Sequence, residues 1–469
     1  MPAQIKFGTD GWRAIIAKDF TVENVLRVTE ATAKWLLSKE KKPSICLGHD
    51  CRFAGEMFAE SAAKVLCKHG IKTYLAKGFV STPMISLGTQ RLNCHVGIII
   101  TASHNPPSYN GYKLKGSYGG PLIPAQVTEV ENLIEDFSST DIDSLSLDDY
   151  VKQGLLEYVD LEKMYIDHVK ANFDLAAIQK SGLRLAYDAM YGAGQNVIRK
   201  ILPDAVLLHC EDNPGFKGQA PEPIHKNLTE FSQLIKESKN IDSGLVTDGD
   251  ADRIGFYDGA GNFIDSHHII LLLIHYLVKY KGMKGKVVIA FSTTPRVIKL
   301  CKHYGLEVEV VKIGFKYICE IMLNEDVLLG GEESGGIAIK GHIPERDGIW
   351  MGLVLWEFMA KSGKTLNELI NEVYAITGSF AFERSDLHIK EEIKQKVLKN
   401  CSSGAYQAFG KYKVSRVEDI DGYKYFFENG DWLMIRASGT EPVLRTYAES
   451  SSREEAFSIL KAGEQTLTS

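Results

Sequence analysis

The chain has 469 residues, of which 44% are hydrophobic and 24% are charged, and its formal net charge is −6 with a pI near 6.1. This length predicts about three or four domains, and the composition is ordinary for a soluble globular protein. The basic excess that nucleic-acid-binding proteins carry is missing, so that class of function is not expected. An anionic ligand would have to be bound by local clusters of Arg and Lys.

The cysteines and the first residues carry no signal for export or membrane insertion. The eight cysteines are scattered without a Cys-x-x-Cys pair, which argues against a zinc site and against a disulfide framework. We therefore expect free thiols in a reducing compartment. The N-terminal residues lack a hydrophobic signal core, and the longest apolar stretch, near residues 269–278, is interrupted by His275 and is too short to span a bilayer. The sequence predicts a soluble, cytoplasmic protein without membrane partners.

Helical and strand patterns alternate through most of the chain, which predicts mostly parallel sheets covered by helices. The first region begins with apolar residues at helical spacing from Val22 to Leu36 and ends in a charged stretch, 138–149, that we expect to be a surface connection. Three similar α/β blocks in a row suggest distant internal repetition. Their candidate strands are 44–47, 72–75 and 96–100, then 183–187 and 243–246, and then 286–290, 308–311 and 327–329.

The last region, from about residue 378, has a different pattern. Its candidate strands are 423–427, 432–435 and 444–448, and its candidate helices are 390–400 and 453–467. Because strands and helices no longer alternate regularly, we interpret this region as a smaller α+β domain.

A Gly-rich turn at residues 191–194 precedes a helical pattern. Such a turn can bind phosphate at a helix N-terminus, but a single Gly-x-Gly is weak evidence, and we expect a structural turn. The chain has no Walker A pattern, which argues against a P-loop NTPase.

The serine loop, residues 101–107 (Thr-Ala-Ser-His-Asn-Pro-Pro), follows an apolar run that is typical of a buried strand. A serine at the carboxyl end of such a strand lies where α/β proteins place reactive groups, although its hydroxyl needs a base, a metal or a positive field to react. His104 is adjacent, but no Gly-x-Ser-x-Gly motif surrounds Ser103, so a hydrolase is not favoured. The alternative is an ordinary turn, with Lys113 as a solvated lysine.

The aspartate loop runs from Asp248 to Arg253 and has carboxylates at alternate positions, with Asp250 and Asp252 as the other two. Carboxylate oxygens suit Mg²⁺ or Ca²⁺. An EF-hand is excluded because Arg253 and Gly259 occupy the positions that need Gly and Glu. The preceding apolar strand favours a metal site, and an acidic surface turn is the alternative.

Two further loops carry polar groups among glycines. The arginine loop, residues 436–442 (Arg-Ala-Ser-Gly-Thr-Glu-Pro), combines a guanidinium, hydroxyls and a Gly-containing turn, which together suit a phosphate, and Arg445 follows in the next strand. The glutamate loop, residues 330–336 (Gly-Gly-Glu-Glu-Ser-Gly-Gly), offers carboxylates that can accept hydrogen bonds from sugar hydroxyls. The alternatives are a surface β-turn and a flexible acidic turn, respectively.

The four loops together resemble the motifs of the α-D-phosphohexomutase superfamily, which includes phosphoglucomutase and phosphomannomutase. A fifth motif, residues 8–13 (Gly-Thr-Asp-Gly-Trp-Arg), is also similar, and the five follow the family's order over nearly the whole chain. The resemblance implies three related α/β domains with mixed sheets and a C-terminal α+β domain, arranged around a central cleft. We predict their limits at 1–150, 151–260, 261–375 and 376–469.

The resemblance also implies roles for individual residues. Ser103 would carry a phosphoryl group, and the three aspartates, with Ser103, would hold Mg²⁺ against it. The implied reaction centre adds Arg13, Lys113, Arg253 and His104, with Lys113 or His104 as a hypothetical proton acceptor. The implied substrate contacts are Thr9, Glu332, Ser334, Arg346, Arg436, Ser438, Gly439, Thr440 and Arg445.

The implied reaction interconverts hexose 1-phosphate and hexose 6-phosphate, with glucose 1,6-bisphosphate as intermediate and activator. Glu333 stands where phosphomannomutase/phosphoglucomutase relatives often have Met and phosphoglucosamine mutases usually have Gln, and Arg346 matches a basic contact of glucose-specific relatives. Glucose phosphates, and also mannose phosphates, are therefore expected. A phosphoglucosamine mutase, a non-catalytic phosphosugar-binding regulator and a hydrolase using Ser103 are the alternatives. The expected partners are small sugar phosphates, and the protein is expected to be a monomer or homodimer.

Overall fold

The structure is a computed structural model that describes residues 4–437 and 443–468. All eight cysteines are buried and none forms a disulfide, as the scattered spacing predicts. No helix within the described ranges is long and apolar enough to cross a membrane.

The first sheet has six strands in the order β1-β5-β4-β2-β3-β6. Its central strand β4 is buried along its whole length, because this apolar strand lies inside a mixed sheet that helices cover on both faces. The strands are β1 Trp12–Ile15, β2 Ser44–His49, β3 Lys72–Ala76, β4 Val96–Ile100, β5 Tyr109–Gly116 and β6 Leu156–Val159. The helices are α1 Val22–Lys39, α2 Gly55–Lys68, α3 Thr82–Arg91, α4 Pro124–Glu131, α5 Leu147–Lys152, α6 Leu161–Asn172 and α7 Leu175–Lys180, with a 3₁₀ turn at Ile142–Ser144.

The second sheet has five strands in the order β11-β10-β9-β7-β8. The strands are β7 Leu185–Asp188, β8 Val206–Leu208, β9 Ser243–Thr247, β10 Ile254–Asp258 and β11 Phe263–Ile264. The helices are α8 Gln195–Ile201 and α9 Thr229–Ser238, with 3₁₀ turns at Phe216–Gly218 and His225–Asn227.

The third sheet has four strands in the order β13-β12-β14-β15. The strands are β12 Lys286–Ala290, β13 Val308–Val311, β14 Val327–Gly331 and β15 Ile337–Ile339. The helices are α10 Ser266–His275, which continues as a π-helical turn over Tyr276–Tyr280, α11 Arg296–Tyr304, α12 Phe315–Asn324, α13 Gly348–Ser362 and α14 Leu366–Thr377.

The fourth sheet is antiparallel, in the order β16-β21-β20-β19-β18-β17, and the two helices of this region complete an α+β unit. The strands are β16 Ala381–His388, β17 Ala408–Phe409, β18 Tyr412–Glu418, β19 Tyr423–Phe427, β20 Trp432–Ala437 and β21 Val443–Ser450. The helices are α15 Glu391–Ser402 and α16 Arg453–Thr468.

The first three sheets repeat one topology, which confirms the predicted fold class. Each contains a parallel set that continues into an antiparallel hairpin, as β3-β2-β4-β5, β8-β7-β9-β10 and β13-β12-β14-β15. The serine loop joins β4 to β5, the aspartate loop joins β9 to β10, and the glutamate loop joins β14 to β15. The three loops therefore occupy the same position in three related sheets, at the carboxyl end of a central strand.

Two strands extend their sheets beyond the predicted domain limits. β6, at 156–159, pairs with β3 of the first sheet, and β11, at 263–264, pairs with β10 of the second. The first two sheets therefore end later in the chain than residues 150 and 260, because these short strands cover sheet edges. The limits of the four domains stay a prediction.

The hydrophobic cores show which sheets are packed together. One large cluster contains residues of α3, α6, α10 and α13 and of the second and third sheets. The fourth sheet has its own core and meets the third through a small group around Phe291 and Trp432. The first three sheets are thus joined by shared core residues, whereas the fourth is attached by a limited apolar contact.

Candidate active site

The serine loop is held in a strained conformation by a buried arginine. Ser103 has a φ of 52°, in the left-handed region that non-glycine residues rarely adopt. The guanidinium of Arg52 donates hydrogen bonds of 2.5–3.1 Å to four carbonyl oxygens of the loop and the start of β5, which are those of Ser103, Asn105, Pro106 and Tyr109. Four bonds from one planar group fix the loop, so the hydroxyl of Ser103 has a defined position.

Asp50 completes this support. Its carboxylate accepts hydrogen bonds from the hydroxyl of Thr101 at 2.5 Å and from the backbone N–H of Arg52 at 2.9 Å. The side chains of Asp50 and Arg52 are both fully buried, 3.5 Å apart. This pair was not among the predicted site residues, although an Asp-x-Arg directly after a strand that neighbours β4 is a usable signal, since parallel strands end at the same edge.

The aspartate loop faces the serine loop. The hydroxyl of Ser103 donates to Asp248 Oδ2 at 2.7 Å, and a Cβ added to Gly249 would lie 2.5 Å from the carbonyl oxygen of Ser103. Only glycine therefore allows the two loops to approach this closely. The second and first sheets thus bring their equivalent loops into direct contact.

The Gly-rich turn at 191–194 supports the aspartate loop from behind. The backbone N–H of Ala193 donates to the carbonyl of Gly249 at 2.9 Å, and a Cβ on Gly192 would lie 2.6 Å from the carbonyl oxygen of Asp248. These contacts support the structural role predicted for this turn.

The three aspartates form the metal-ligand geometry that the sequence suggested. Asp248, Asp250 and Asp252 are fully buried, and one carboxylate oxygen from each lies within 4.8 Å of the others. The Oδ1 atoms of Asp250 and Asp252 have no hydrogen-bond partner. Burial and the two neighbouring carboxylates raise the pKa of Asp248 well above its usual value. Buried carboxylates with free oxygens are costly unless a cation joins them, so the site suits a hard divalent ion.

Positive side chains surround the aspartates. Lys113 is buried, and its Nζ lies 2.7 Å from Asp250, 3.1 Å from Asp252 and 2.8 Å from Asp10. Arg346 contacts Asp10 at 2.7 Å and Asp252 at 2.6 Å. Although burial opposes ionisation, the charges of Arg346 and Lys113 hold the pKa of Asp10 well below its usual value. Ser103, Lys113 and the three aspartates are called the serine–aspartate centre below.

Asp10 was missed as a site residue because its partners are remote in the sequence. It comes from the loop before β1, and its side chain also lies 3.4 Å from Arg13, whose other nitrogen donates to Asn105 of the serine loop at 2.8 Å. Thr9 beside it is exposed. Asp10, the acidic residue of the opening motif, therefore links three cations, one of which, Arg346, lies 336 positions later in the chain.

The two candidate proton acceptors have opposite environments. The Nδ1 of His104 lies 3.3 Å from the hydroxyl oxygen of Ser103. Burial and the charges of Arg253 and Arg13 hold the pKa of His104 well below its usual value, so the ring is neutral at pH 7. Burial alone would lower the pKa of Lys113, but Asp10 and two loop aspartates raise it, so the lysine is charged.

The glutamate loop lies against the aspartate loop. Arg253 forms an antiparallel bridge with Gly336, and the backbone N–H of Arg253 also donates to Asp248 at 3.1 Å. Glu332 is 5% exposed and accepts a hydrogen bond from the N–H of Gly314 at 2.9 Å. Burial raises its pKa, with Arg346 and Arg253 opposing the rise. All three loops of the repeated sheets therefore converge on one region.

A cleft of about 1060 Å³ opens beside the glutamate loop. It lies among the second, third and fourth sheets, and it is lined by the half-buried Ser334 and by residues of β16 such as Arg384 and Asp386. Its volume is at the upper end of the range for small-molecule clefts, which is about 300–1,000 Å³. Of the predicted site residues that the structure describes, only Ser334 lines this cleft.

Two arginines flank the arginine loop. Arg436 on β20 and Arg445 on β21 are direct cross-strand partners, and we call this pair the arginine clamp. Arg436 lies 3.3 Å from Asp421, and Arg445 lies 4.0 Å from Asp386. Directly opposite residues of an antiparallel pair present their side chains on the same face of the sheet, so the two guanidiniums are placed to bind one phosphate together. Three further predicted contacts lie outside the described residues, namely Ser438, Gly439 and Thr440.

Four family models match the chain in succession. They are the phosphoglucomutase/phosphomannomutase α/β/α domain I over residues 4–141, domain II over 163–261, domain III over 265–376 and the C-terminal domain over 390–462. A phosphoglucomutase/phosphomannomutase of Thermococcus kodakarensis is 31% identical over 465 aligned positions, and the match covers 97% of each chain. A phosphoglucosamine mutase of Methanococcus maripaludis is 30% identical over 469 aligned positions, and this match also covers 97% of each chain.

A solved structure agrees with these matches. The structure of a Thermus thermophilus protein assigned as a phosphomannomutase covers 100% of both chains with a TM-score of 0.88 and 32% identity. The fold, with its four successive units and converging loops, is that of a phosphohexomutase. This chain belongs to the phosphoglucomutase/phosphomannomutase family of the α-D-phosphohexomutase superfamily, and it is an enzyme of the intramolecular phosphotransferase type.

Proposed function

We propose that this enzyme interconverts hexose 1-phosphate and hexose 6-phosphate through a phosphorylated Ser103, with glucose phosphates preferred and mannose phosphates accepted. The observation that carries the proposal is the 2.7 Å contact between the Ser103 hydroxyl and Asp248, within a buried set of three carboxylates. The serine of a hydrolase nucleophile elbow lies in a Gly-x-Ser-x-Gly motif, and no such motif surrounds Ser103.

Mg²⁺ is the proposed metal, and the donor set fits it. Asp248, Asp250 and Asp252 supply hard oxygen atoms, two of which have no other partner, and the hydroxyl of Ser103 lies beside them. When bound there, Mg²⁺ would draw electron density from phosphoryl oxygens and offset their negative charge.

The proposed reaction has two halves. The phosphoryl group leaves the oxygen of Ser103 as it forms a bond to a hydroxyl of the sugar, and the proton of that hydroxyl ends on Ser103. His104, at 3.3 Å from the serine oxygen, is proposed to carry this proton, while Lys113, Arg13 and Arg253 offset the charge of the moving group. The hexose 1,6-bisphosphate then reorients in the site, and its other phosphoryl group is transferred to Ser103.

The substrate would be held at both ends. The arginine clamp, with Ser438, Gly439 and Thr440, is proposed to bind the phosphate that does not react. Four residues are proposed to contact the sugar and the second phosphate position, namely Thr9, Glu332, Ser334 and Arg346. Holding both ends fixes which hydroxyl faces Ser103, which is the main requirement for a reaction that depends on positioning.

The preference for one hexose phosphate over another is the most specific part of the proposal. Relatives near 30% identity carry both phosphoglucomutase/phosphomannomutase and phosphoglucosamine mutase names. Glu333 in the middle of the glutamate loop supports glucose, and a phosphoglucosamine mutase is the second candidate. Discrimination by one hydroxyl or amine depends on whether a buried partner is left unpaired.

The test is to incubate the enzyme with glucose 1-phosphate, Mg²⁺ and a trace of glucose 1,6-bisphosphate, and to measure glucose 6-phosphate. Parallel reactions use mannose 1-phosphate and glucosamine 1-phosphate. Conversion of glucose 1-phosphate at the highest kcat/KM supports the proposal. Release of inorganic phosphate would instead indicate a hydrolase, and binding without conversion by fully phosphorylated enzyme would indicate a regulator.

A further inference from the structure

The turn between β13 and α12 holds a carboxylate from each of two substrate regions. The backbone N–H of Ile313 donates to Asp421 Oδ2 at 2.9 Å, and the N–H of the next residue, Gly314, donates to Glu332 Oε1 at 2.9 Å. Asp421 belongs to the fourth sheet, between β18 and β19, whereas Glu332 belongs to the glutamate loop of the third. Consecutive amides of one turn thus connect two different domains.

Asp421 is also the partner of the arginine clamp. Its Oδ1 accepts from Arg436 Nε and its Oδ2 accepts from Arg436 Nη2, both at 3.3 Å. A carboxylate that meets a guanidinium with both oxygens fixes the plane of that group. The same oxygen that receives Arg436 Nη2 also receives the N–H of Ile313. Asp421 is therefore shared between the clamp and the turn.

The backbone around these contacts leaves little freedom. Gly314 has a φ of 134°, which only glycine adopts without strain, and Gly422 has a φ of 93°. A Cβ added to Gly422 would lie only 2.6 Å from the carbonyl oxygen of Ile435. Glycine is therefore required at both positions for the backbone to make these contacts without strain. Because the N–H groups that bind Asp421 and Glu332 belong to consecutive residues, a shift of one contact moves the other.

We propose that Asp421 is a positioning residue that couples the arginine clamp to the glutamate loop through the turn Ile313–Gly314. Occupation of the clamp by a phosphate and the orientation of Glu332 toward the sugar are then linked, so that each strengthens the other. This inference rests on the proposed function, in which Arg436 meets the distant phosphate and Glu332 meets the sugar. Coupling of this kind appears as non-additivity between substitutions at the two ends.

The test is a double-mutant cycle on ligand binding. Asp421→Ala, Glu332→Ala and the double variant are made in a Ser103→Ala background, so that no phosphoryl transfer occurs, and binding of glucose 6-phosphate is measured by calorimetry. We expect each single change to weaken binding about tenfold, since each removes a hydrogen bond that involves a charged group. The double variant should bind at least threefold better than the product of the two losses predicts.

Two further variants separate coupling from a general structural effect. Asp419→Ala removes an exposed aspartate two positions earlier in the same loop and should leave binding unchanged. Asp421→Asn keeps an oxygen for the N–H of Ile313 but not the charge facing Arg436, so it should weaken binding yet keep the non-additivity with Glu332→Ala. Strictly additive losses, or an equal loss in Asp419→Ala, would overturn the inference.

The outcome is distinguishable from failure of the proposed function. If the unsubstituted enzyme binds glucose 6-phosphate but converts no hexose phosphate, the proposed function is wrong and the cycle still decides the coupling. If it binds none of the glucose, mannose and glucosamine phosphates, both proposals are overturned together.

Discussion

The serine–aspartate centre, proposed to transfer the phosphoryl group, and the arginine clamp, proposed to bind the phosphate that does not react, are built in opposite ways. Ser103 and the three aspartates are at most 1% exposed, and contacts of Lys113 and Arg346 with the carboxylates are 2.6–3.1 Å. The arginines of the clamp are 19% and 32% exposed, and their carboxylate partners are 3.3–4.0 Å away. Charges act strongly in a buried site and weakly near solvent.

The hydrophobic cores beneath the serine–aspartate centre and the arginine clamp also differ. The serine–aspartate centre joins the first and second sheets, which contribute to one large shared hydrophobic core in addition to a separate core each. The clamp lies on a sheet that has its own core and a small apolar contact to its neighbour. A rigid centre suits chemistry, and a looser clamp suits the capture, turning and release of a ligand.

Replacing Ser103 with Ala should have the largest effect. The variant lacks the oxygen proposed to carry the phosphoryl group, so mutase activity should fall on the order of 10⁴-fold or more. The measurement is the rate of glucose 6-phosphate formation, with mass spectrometry of the protein for a bound phosphate. A variant that keeps wild-type turnover would show that another group carries the phosphoryl.

Removing the metal or a metal ligand should be nearly as damaging. Chelation should abolish activity reversibly, and Asp250→Asn should lower kcat on the order of 10³-fold, because several kcal/mol of charge stabilisation is lost. The Mg²⁺ concentration for half-maximal activity should rise in this variant. Asp258→Asn is the control, since Asp258 is also buried but lies outside the cluster. An equal rise in both variants would contradict the assignment.

Loosening the serine loop should cost about 10²-fold in kcat with little change in KM. Lys in place of Arg52 keeps the charge but cannot reach four carbonyls from one planar group, so the serine oxygen is misplaced. Steady-state kinetics of Arg52→Lys measure the split, with the exposed Arg416→Lys as control. A change confined to KM would show that Arg52 acts on binding instead.

The clamp should respond differently from the centre. Arg436→Lys should raise KM for glucose 1-phosphate about tenfold and lower kcat less, because one bidentate contact is lost from ground and transition states alike. The comparison is with Arg52→Lys under the same conditions. If both variants changed kcat and KM in the same ratio, the proposed division of labour would be wrong.

Acid should loosen the contact between the third and fourth sheets. The buried His267 accepts a hydrogen bond from the N–H of Thr294 and packs against Phe382, and burial lowers its pKa to about 4, with Asp265 opposing and His268 and Lys424 adding to the shift. In the unfolded chain the ring binds a proton near pH 6.5, so the stability that the neutral, buried ring gives the folded protein is fully present above that pH. This stability is lost as the pH falls toward 4.

This loss should reach about 2 kcal/mol of the free energy of unfolding at pH 5. Urea titrations at pH 7 and pH 5 measure it, and His267→Asn, which keeps an oxygen acceptor but cannot titrate, should lose less stability on acidification. An equal loss in both proteins would remove His267 from this role.

Much of the fold could be predicted because it depends on local patterns. The strands Val96–Ile100, Lys286–Ala290, Val308–Val311 and Tyr423–Phe427 have the limits that apolar runs indicate. The four loops were found because Ser, Asp, Glu and Arg among small residues follow those runs directly. The structure brings Ser103 to Asp248 although 145 residues separate them, since equivalent sheets present equivalent loops.

The supporting residues are less evident from the sequence. The Asp-x-Arg sequence that contains Arg52 marks the end of a strand, but the partners of Arg52 are backbone carbonyls that any residue would supply. Asp10 and Asp421 likewise act on partners in other domains, at Arg346 and Ile313. Sequence patterns identify chemical groups, but they do not show which distant atoms satisfy them.

The family, the order of the elements and the reactive loops could be read from the sequence, because periodicity and short motifs are encoded locally. The packing of the sheets showed which carboxylate oxygens are buried without a hydrogen-bond partner, which Lys and Arg side chains contact the same carboxylates, and which turn joins the clamp to the glutamate loop. These features depend on the tertiary structure because burial and distance arise from the packing of separate sheets. The charge and pKa of a carboxylate, and the ligand that it can bind, depend on that packing and not on its neighbours in the chain.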